Sequence, residues 1–221
     1  FVDPETAIAQ AAEAQQRYAL RQPLGLLDGL PIVVKDNIAV SGWPMTNGLA
    51  VQHTSSADAD IVSRLRRQGV VMLGSANMDE GALAAAGVNP HHGRIMNPDF
   101  PGYASGGSSS GSAAAVAAGF CCAALGTDTL GSVRLPAAYC GLVGFKPSHG
   151  RLSTTGIISL LPELDAVLAE VNVEYGEKRR SRRLAPLCLH LMQPGWAERE
   201  YQRTAAAGKR DTQYKWQILC A

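Results

Sequence analysis

The sequence predicts an α/β fold, a mixed β-sheet core flanked by helices on both faces. Three observations carry that expectation. Apolar runs of strand length alternate with segments of helical spacing. One of these runs, Gly69-Val70-Val71-Met72-Leu73-Gly74, is bounded by glycines and reads as a buried strand. A glycine- and serine-rich segment then leads into an alanine-rich helical stretch and a further apolar run. With 46% hydrophobic and 18% charged residues among 221, the chain has enough apolar surface to bury a core.

The elements follow in order. Residues 4–20 read as an amphipathic helix, with Ala7, Ile8, Ala11, Ala12 and Tyr18 near helical spacing. Asp3 is its N-cap and Pro4 its first-turn residue. Leu30 to Val34 is a short strand, entered from a glycine-containing turn. Ile61 to Gln68 is a second helix with Ile61, Val62 and Leu65 on one face. The glycine-bounded strand comes next, and another helix is expected from about Asp79, carrying Leu83. The serine-rich loop opens a helix from about Ser110 to Gly119, where serine suits the N-cap and glycine the C-cap. Phe120 to Leu125 is the next strand, and Thr127 to Ser132 is a loop at its carboxyl end. Open α/β sheets commonly bind their ligands at such ends.

Composition shifts near Asp165. The chain divides into a core over 1–168 and a divergent basic tail over 169–221, expected to be solvated or poorly ordered. The tail includes KRRSRR at 178–183. The net charge of +1 gives no reason to expect nucleic acid as a partner. No apolar run reaches the roughly 18 to 20 residues of a membrane span. The chain begins at Phe1 without signal-peptide character and reads as a fragment or processed product. Five cysteines lack metal-like spacing with histidine. Cys121, Cys122 and Cys140 are expected to be buried free thiols in a reducing, cytoplasmic setting. His91 and His92 are adjacent in a polar loop and are not expected to share a metal.

Two serine clusters carry the candidate chemistry. Residues 102–119 read GYASGGSSSGSAAAVAAG, and residues 126–136 read GTDTLGSVRLP. Ser108 and Ser132 are 24 positions apart, room for a helix, a strand and a return to the same end of a sheet. A serine hydroxyl needs a base, and no histidine lies near either cluster in sequence. Lys35, in GLPIVVKDN, ends an apolar strand, where partial desolvation would lower its pKa and let it serve. The bland alternative is a lysine paired with the adjacent Asp36. Tight turning at Thr129-Leu130-Gly131-Ser132 would let several backbone N–H groups converge on a developing oxyanion. The segment GGSSSGS lacks the Lys–Ser/Thr ending of a phosphate loop. A flexible Gly/Ser linker is disfavoured by the apolar segments on both sides.

These segments resemble the amidase signature family. The resemblance rests on SGGSSSGSAAAVAAG at 105–119 and GTDTLGSVRLPAAYCGLVGFKPSHGRLS at 126–153. GLPIVVKDN at 29–37 and GSANMDEGAL at 74–83 add two further motifs in the same order. It covers about residues 20–168 and fades after LPELDAV at 161–167. The resemblance implies carboxamide hydrolysis through a Ser–cis-Ser–Lys triad and an acyl-enzyme, without cofactor or metal. By position, Ser132 is the implied nucleophile, Ser108 the bridging serine after a cis Gly107–Ser108 bond, and Lys35 the base. The N–H groups of Thr129, Leu130, Gly131 and Ser132 are the implied oxyanion hole. Ser109 would support the loop, and Asp128 with Arg134 would brace it.

The chain departs from the family at three points. Leu130 stands where glycine or another small or polar residue is common, and Ser110 where glycine is usual. Family members are also much longer. The expected partner is a small linear amide, with self-association invited by an exposed internal strand edge. The alternatives are an inactive truncated member, or a component like those of glutaminyl-tRNA amidotransferases, which need partners.

Overall fold

The computed structural model describes residues 1–158. Helix α1 (Pro4–Ala19) opens the chain, with the Asp3 carboxylate accepting from the Thr6 N–H at 3.2 Å as its cap. Strand β1 (Pro31–Lys35) follows, then the short pair β2 (Pro44–Met45) and β3 (His53–Thr54). Helix α2 (Asp60–Arg67) leads into β4 (Val71–Ala76). A small hairpin, β5 (Val88–Asn89) and β6 (Gly93–Arg94), precedes α3 (Ser110–Ala117). Strand β7 (Ala123–Leu125) and helix α4 (Arg134–Tyr139) complete the described part.

The central sheet has the order β4-β1-β7. Both pairings of β1 are parallel, with Val34 opposite Ser75 on one side and Leu125 on the other. Parallel neighbours need crossovers, and α2 and α3 supply them. Val2 adds an antiparallel bridge at Gly74. Alternation along β1 decides what each face does. Ile32 and Val34 join a buried cluster with Val62, Val70, Met72 and Trp43. Val33 and Lys35 take the other parity, and Lys35 meets the residues that lead into α3.

Several expectations are corrected. The buried residues of α1 are Ala7 and Ala14, whereas Ile8, Ala11, Ala12 and Tyr18 are exposed. Its inward stripe includes polar residues that hydrophobic spacing misses. Gln10 Oε1 accepts from the Met72 N–H at 2.9 Å, and Arg17 binds Asp28 through two N–H groups at 2.9 and 2.6 Å. That guanidinium, helped by the Leu24 N–H, holds the Asp28 carboxyl at about 2 against the opposing effect of its burial.

The helix expected from Asp79 is one 3-10 turn, Glu80–Ala82. Gly81 and Ala82 adopt φ of 58° and 61°, which ends it, and Leu83 is exposed. The strand expected from Phe120 begins only at Ala123, and Phe120 is 74% exposed. Cys121 and Cys140 are buried free thiols as expected, but Cys122 is exposed. Among the described residues no helix is long and apolar enough to cross a membrane. The tail, with its KRRSRR run, the LPELDAV passage, Cys188 and Cys220, lies outside the described residues.

Candidate active site

The candidate residues gather at the carboxyl ends of β1 and β7, the end of a parallel sheet where ligands are commonly bound. Lys35 is the last residue of β1 and has no solvent exposure. Its Nζ donates to Ser108 Oγ at 2.8 Å and to Thr127 Oγ1 at 2.8 Å. The alternative partner, Asp36, turns away and binds the N–H and hydroxyl of Thr46. Burial pushes the Lys35 ammonium down to about 7, and the negative charges of Asp79 and Asp128 partly oppose that fall. A lysine in that range is half neutral near pH 7 and can accept a proton.

Ser108 lies in a segment with almost no access to water. Ser105, Ser108, Ser109 and Ser110 are all buried, and the Gly107–Ser108 peptide bond is cis. Glycine is required around it for space. A Cβ on Gly107 would overlap Asp79 Oδ2, and one on Gly111 would overlap the Asn77 carbonyl. The expected capping role of serine is not met by a side chain. Ser109 occupies the N-cap position of α3, but its hydroxyl donates to the Thr127 carbonyl at 3.2 Å and accepts from the Thr127 N–H at 3.3 Å. Ser110 Oγ donates instead to Asp79 Oδ2 at 3.2 Å.

The loop after β7 is held differently. Asp128 Oδ1 accepts from the Gly131 N–H at 2.8 Å, and Oδ2 accepts from the N–H groups of Val133 and Arg134 at 3.2 and 3.3 Å. The Arg134 guanidinium grips both oxygens at 2.9 Å. Burial raises the Asp128 carboxyl, but these donors more than reverse it and leave it below its usual range. Ser132 reaches the first loop through its backbone, where its carbonyl accepts from the Ser109 N–H at 3.0 Å. Among the described residues no hydrogen bond joins the hydroxyls of Ser132 and Ser108. Of the four N–H groups at Thr129 to Ser132, that of Gly131 is engaged by Asp128. Leu130 projects outward and is 67% exposed.

Thr127 and Asn37 were not singled out by sequence reasoning. Asn37 is buried, and its Nδ2 donates to Thr127 Oγ1 at 3.1 Å. Both lie inside quoted motifs, Asn37 two residues after Lys35 and Thr127 at the start of the second serine loop. That adjacency was the available signal. His91 and His92 make other contacts: His91 Nε2 is 3.0 Å from Glu80 Oε1, and His92 Nε2 is 2.9 Å from the Leu49 carbonyl. A groove of about 520 Å³ beside α4 is lined by Asn97, Phe100, Tyr103, Ala104 and Tyr139, not by the lysine or the serines.

A parallel sheet with a buried lysine at its carboxyl end, facing a Gly/Ser loop and a second serine loop, defines the amidase class of fold. The family model for amidase matches residues 1–170. The chain belongs to the amidase signature family. It is 42% identical over 200 residues to the A subunit of glutamyl-tRNA(Gln) amidotransferase from Salinibacter ruber, covering 84% of this chain and 38% of that one. It is 46% identical over 169 residues to indoleacetamide hydrolase of Pseudomonas syringae pv. syringae, covering 76% and 37%. Among solved structures, the native peptide amidase of Stenotrophomonas maltophilia superposes with a TM-score of 0.67 at 39% identity, covering 72% and 34%. A structure described as an amidase gives 0.69 at 41% identity, covering 74% and 38%. The chain thus spans under two fifths of the length of these relatives.

Proposed function

We propose that this chain carries the acylating centre of an amidohydrolase acting on a small linear carboxamide. The observation that supports it most is the contact of Lys35 Nζ with Ser108 Oγ at 2.8 Å, with the lysine held near 7 by burial. In this reading neutral Lys35 takes the proton of Ser108, which takes that of Ser132. The Ser132 oxygen attacks the carboxamide carbon and forms a tetrahedral oxyanion. Backbone N–H groups of Thr129, Leu130, Gly131 and Ser132 receive the oxyanion. That of Gly131 takes part only by giving up its bond to Asp128. As the intermediate collapses, the C–N bond breaks and the proton returns through Ser108 to the leaving nitrogen. Water then attacks the acyl-Ser132 ester by the same relay, releasing the carboxylic acid. Ser109, Asp128 and Arg134 brace the two loops in this scheme. The unit responsible is the core over 1–168.

Labelling with a serine-reactive fluorophosphonate tests the reading. The folded chain takes up label at Ser132, while Ser132→Ala and Lys35→Ala take up little or none. Label that survives Ser132→Ala, or a wild-type rate in Lys35→Ala, overturns it.

One observation favours a second reading. A relative that matches over 84% of this chain is named as the A subunit of an amidotransferase. If this chain has that role, release of ammonia from simple amides requires added partners. Release without them argues for a free-standing hydrolase. A chain that folds but takes up no label under any condition is an inactive member of the family.

A further inference from the structure

We propose that Asp79 is a positioning residue of this centre, whose buried carboxylate holds the Gly107–Ser110 turn against Lys35 and places a negative charge near that lysine. The proposal deepens the hydrolase reading and rests on it for its catalytic meaning. Asp79 has no exposure to solvent, and no cation lies within ion-pair distance of it among the described residues. An unpaired buried carboxylate is costly, so its surroundings must satisfy it. Its Oδ1 accepts from the Val88 N–H at 3.0 Å, and its Oδ2 from Ser110 Oγ at 3.2 Å. Its own N–H donates to the Ser108 carbonyl at 3.3 Å. Gly107 must lack a side chain because Asp79 Oδ2 occupies that space. Asp79 therefore holds the turn at Gly107, Ser108 and Ser110, while Ser108 presents its hydroxyl to Lys35.

The electrostatic part follows from which charges face Lys35. Asp79 and Asp128 are the two that raise its proton affinity against burial. Asp128 is already paired with Arg134. Asp36 is bound to Thr46. Glu80, next to Asp79, has its Oε1 3.0 Å from His91 Nε2. Helix α3, packed over β1, has no titratable side chain. Of the two carboxylates that act on Lys35, Asp79 is thus the one without a cationic partner among the described residues. Without it, desolvation alone would pull Lys35 further down. A base of lower pKa is neutral over a wider pH range but accepts a proton less readily in the transition state.

Lys35 can be titrated directly, independent of turnover. The full chain, labelled with 13C at lysine Cε, is followed by NMR across pH, with the Lys35 signal assigned from Lys35→Arg. The wild-type midpoint is expected at about 7. In Asp79→Asn, which keeps the shape and can still hydrogen-bond Val88 and Ser110, the midpoint falls by about one pH unit. A midpoint that stays or rises overturns the proposal. Should Asp79→Asn not fold, Asp79→Ser, smaller and neutral, gives the same expected fall and the same refutation. In the labelling assay, the acid limb at Ser132 moves down with the midpoint, and the plateau rate drops about tenfold. A purely structural Asp79 would lower the rate with the limb unmoved, which overturns the charge role. Wild-type protein that takes no label, while Lys35 still shifts in Asp79→Asn, removes the hydrolase reading and leaves the tie between Asp79 and Lys35 standing.

Discussion

The two serine loops of this molecule are built on opposite plans. The first, around Ser105 to Ser110, is buried, is packed against Asp79 and Asn77, and depends on glycines whose missing side chains make room for other atoms. The second, around Thr127 to Ser132, is organised by one carboxylate, Asp128, and its half-exposed partner Arg134. A Cβ on Gly131 would meet only the Leu135 side chain, at 3.2 Å. Under the proposed function the difference is a division of labour. A proton relay must be dry and fixed, because its donor and acceptor work at hydrogen-bond distance and water would compete with them. A loop that receives a substrate must be reachable, so its order comes from a polar brace at its edge.

The largest expected effect breaks the first loop. Gly107→Ala drives a methyl group into Asp79 and the Ala85 backbone, and should cost about 3 kcal/mol or more in a urea unfolding experiment. Gly131→Ala should cost about 1–2 kcal/mol, because its φ of 134° is unfavourable but its neighbour can yield. Equal losses would erase the distinction between the loops.

The next effect concerns the buried lysine. The pKa of Lys35 is depressed on folding, from 10.5 to about 7, so between those values the unfolded chain binds more protons. Stability therefore rises with pH from about 7 toward 10, with a slope of up to about 1.4 kcal/mol per pH unit from this group. Below about 7 the cost of charging a buried amine is present in full. Lys35→Met should remove the slope and raise stability at pH 7 by about 1 kcal/mol or more, while abolishing label at Ser132. Unfolding midpoints at pH 7 and 9 in both proteins check it.

A smaller effect loosens the second loop alone. Arg134→Ala should slow fluorophosphonate labelling about tenfold, a change of about 1.4 kcal/mol in barrier. Its effect on global stability should stay below about 1 kcal/mol, since the guanidinium is half exposed. A large fall in unfolding midpoint would show that the second loop is as integral to the core as the first. The smallest change expected is Ser112→Ala, which deletes the hydroxyl donating to the Leu125 carbonyl at 2.9 Å between α3 and β7. It should cost about 1 kcal/mol, read from the same unfolding curves.

Legibility in the sequence followed the type of interaction. Apolar periodicity located β1, α2 and β4, because Ile32, Val34, Val62 and Met72 bury for reasons local to the pattern. It misjudged α1, where the inward stripe runs through Gln10 and Arg17, whose partners Met72 and Asp28 lie outside the helix. It misjudged the turn after Asp79 because Gly81 and Ala82 take left-handed φ that ordinary helix propensity does not foresee. The motif residues Lys35, Ser108 and Ser132 were visible as residue types. Thr127 was not, since its bond to Lys35 spans 92 positions.

The sequence by itself determined the residue types of the candidate site, the glycines that leave room at Gly107 and Gly111, and the alternating strands and helices that bring the chain back to one end of a sheet. Its membership in the amidase family was legible in four ordered motifs and is borne out by the family match over residues 1–170. Only the tertiary structure decided that Lys35 faces Ser108 and Thr127 rather than Asp36, because strand parity and burial choose a side chain's partner across the sheet. Only it revealed that Asp79, buried against the Gly107–Ser110 turn, has no cationic partner among the described residues. The charge felt by a buried amine depends on which carboxylates the fold packs around it, and no spacing along the chain encodes that distance.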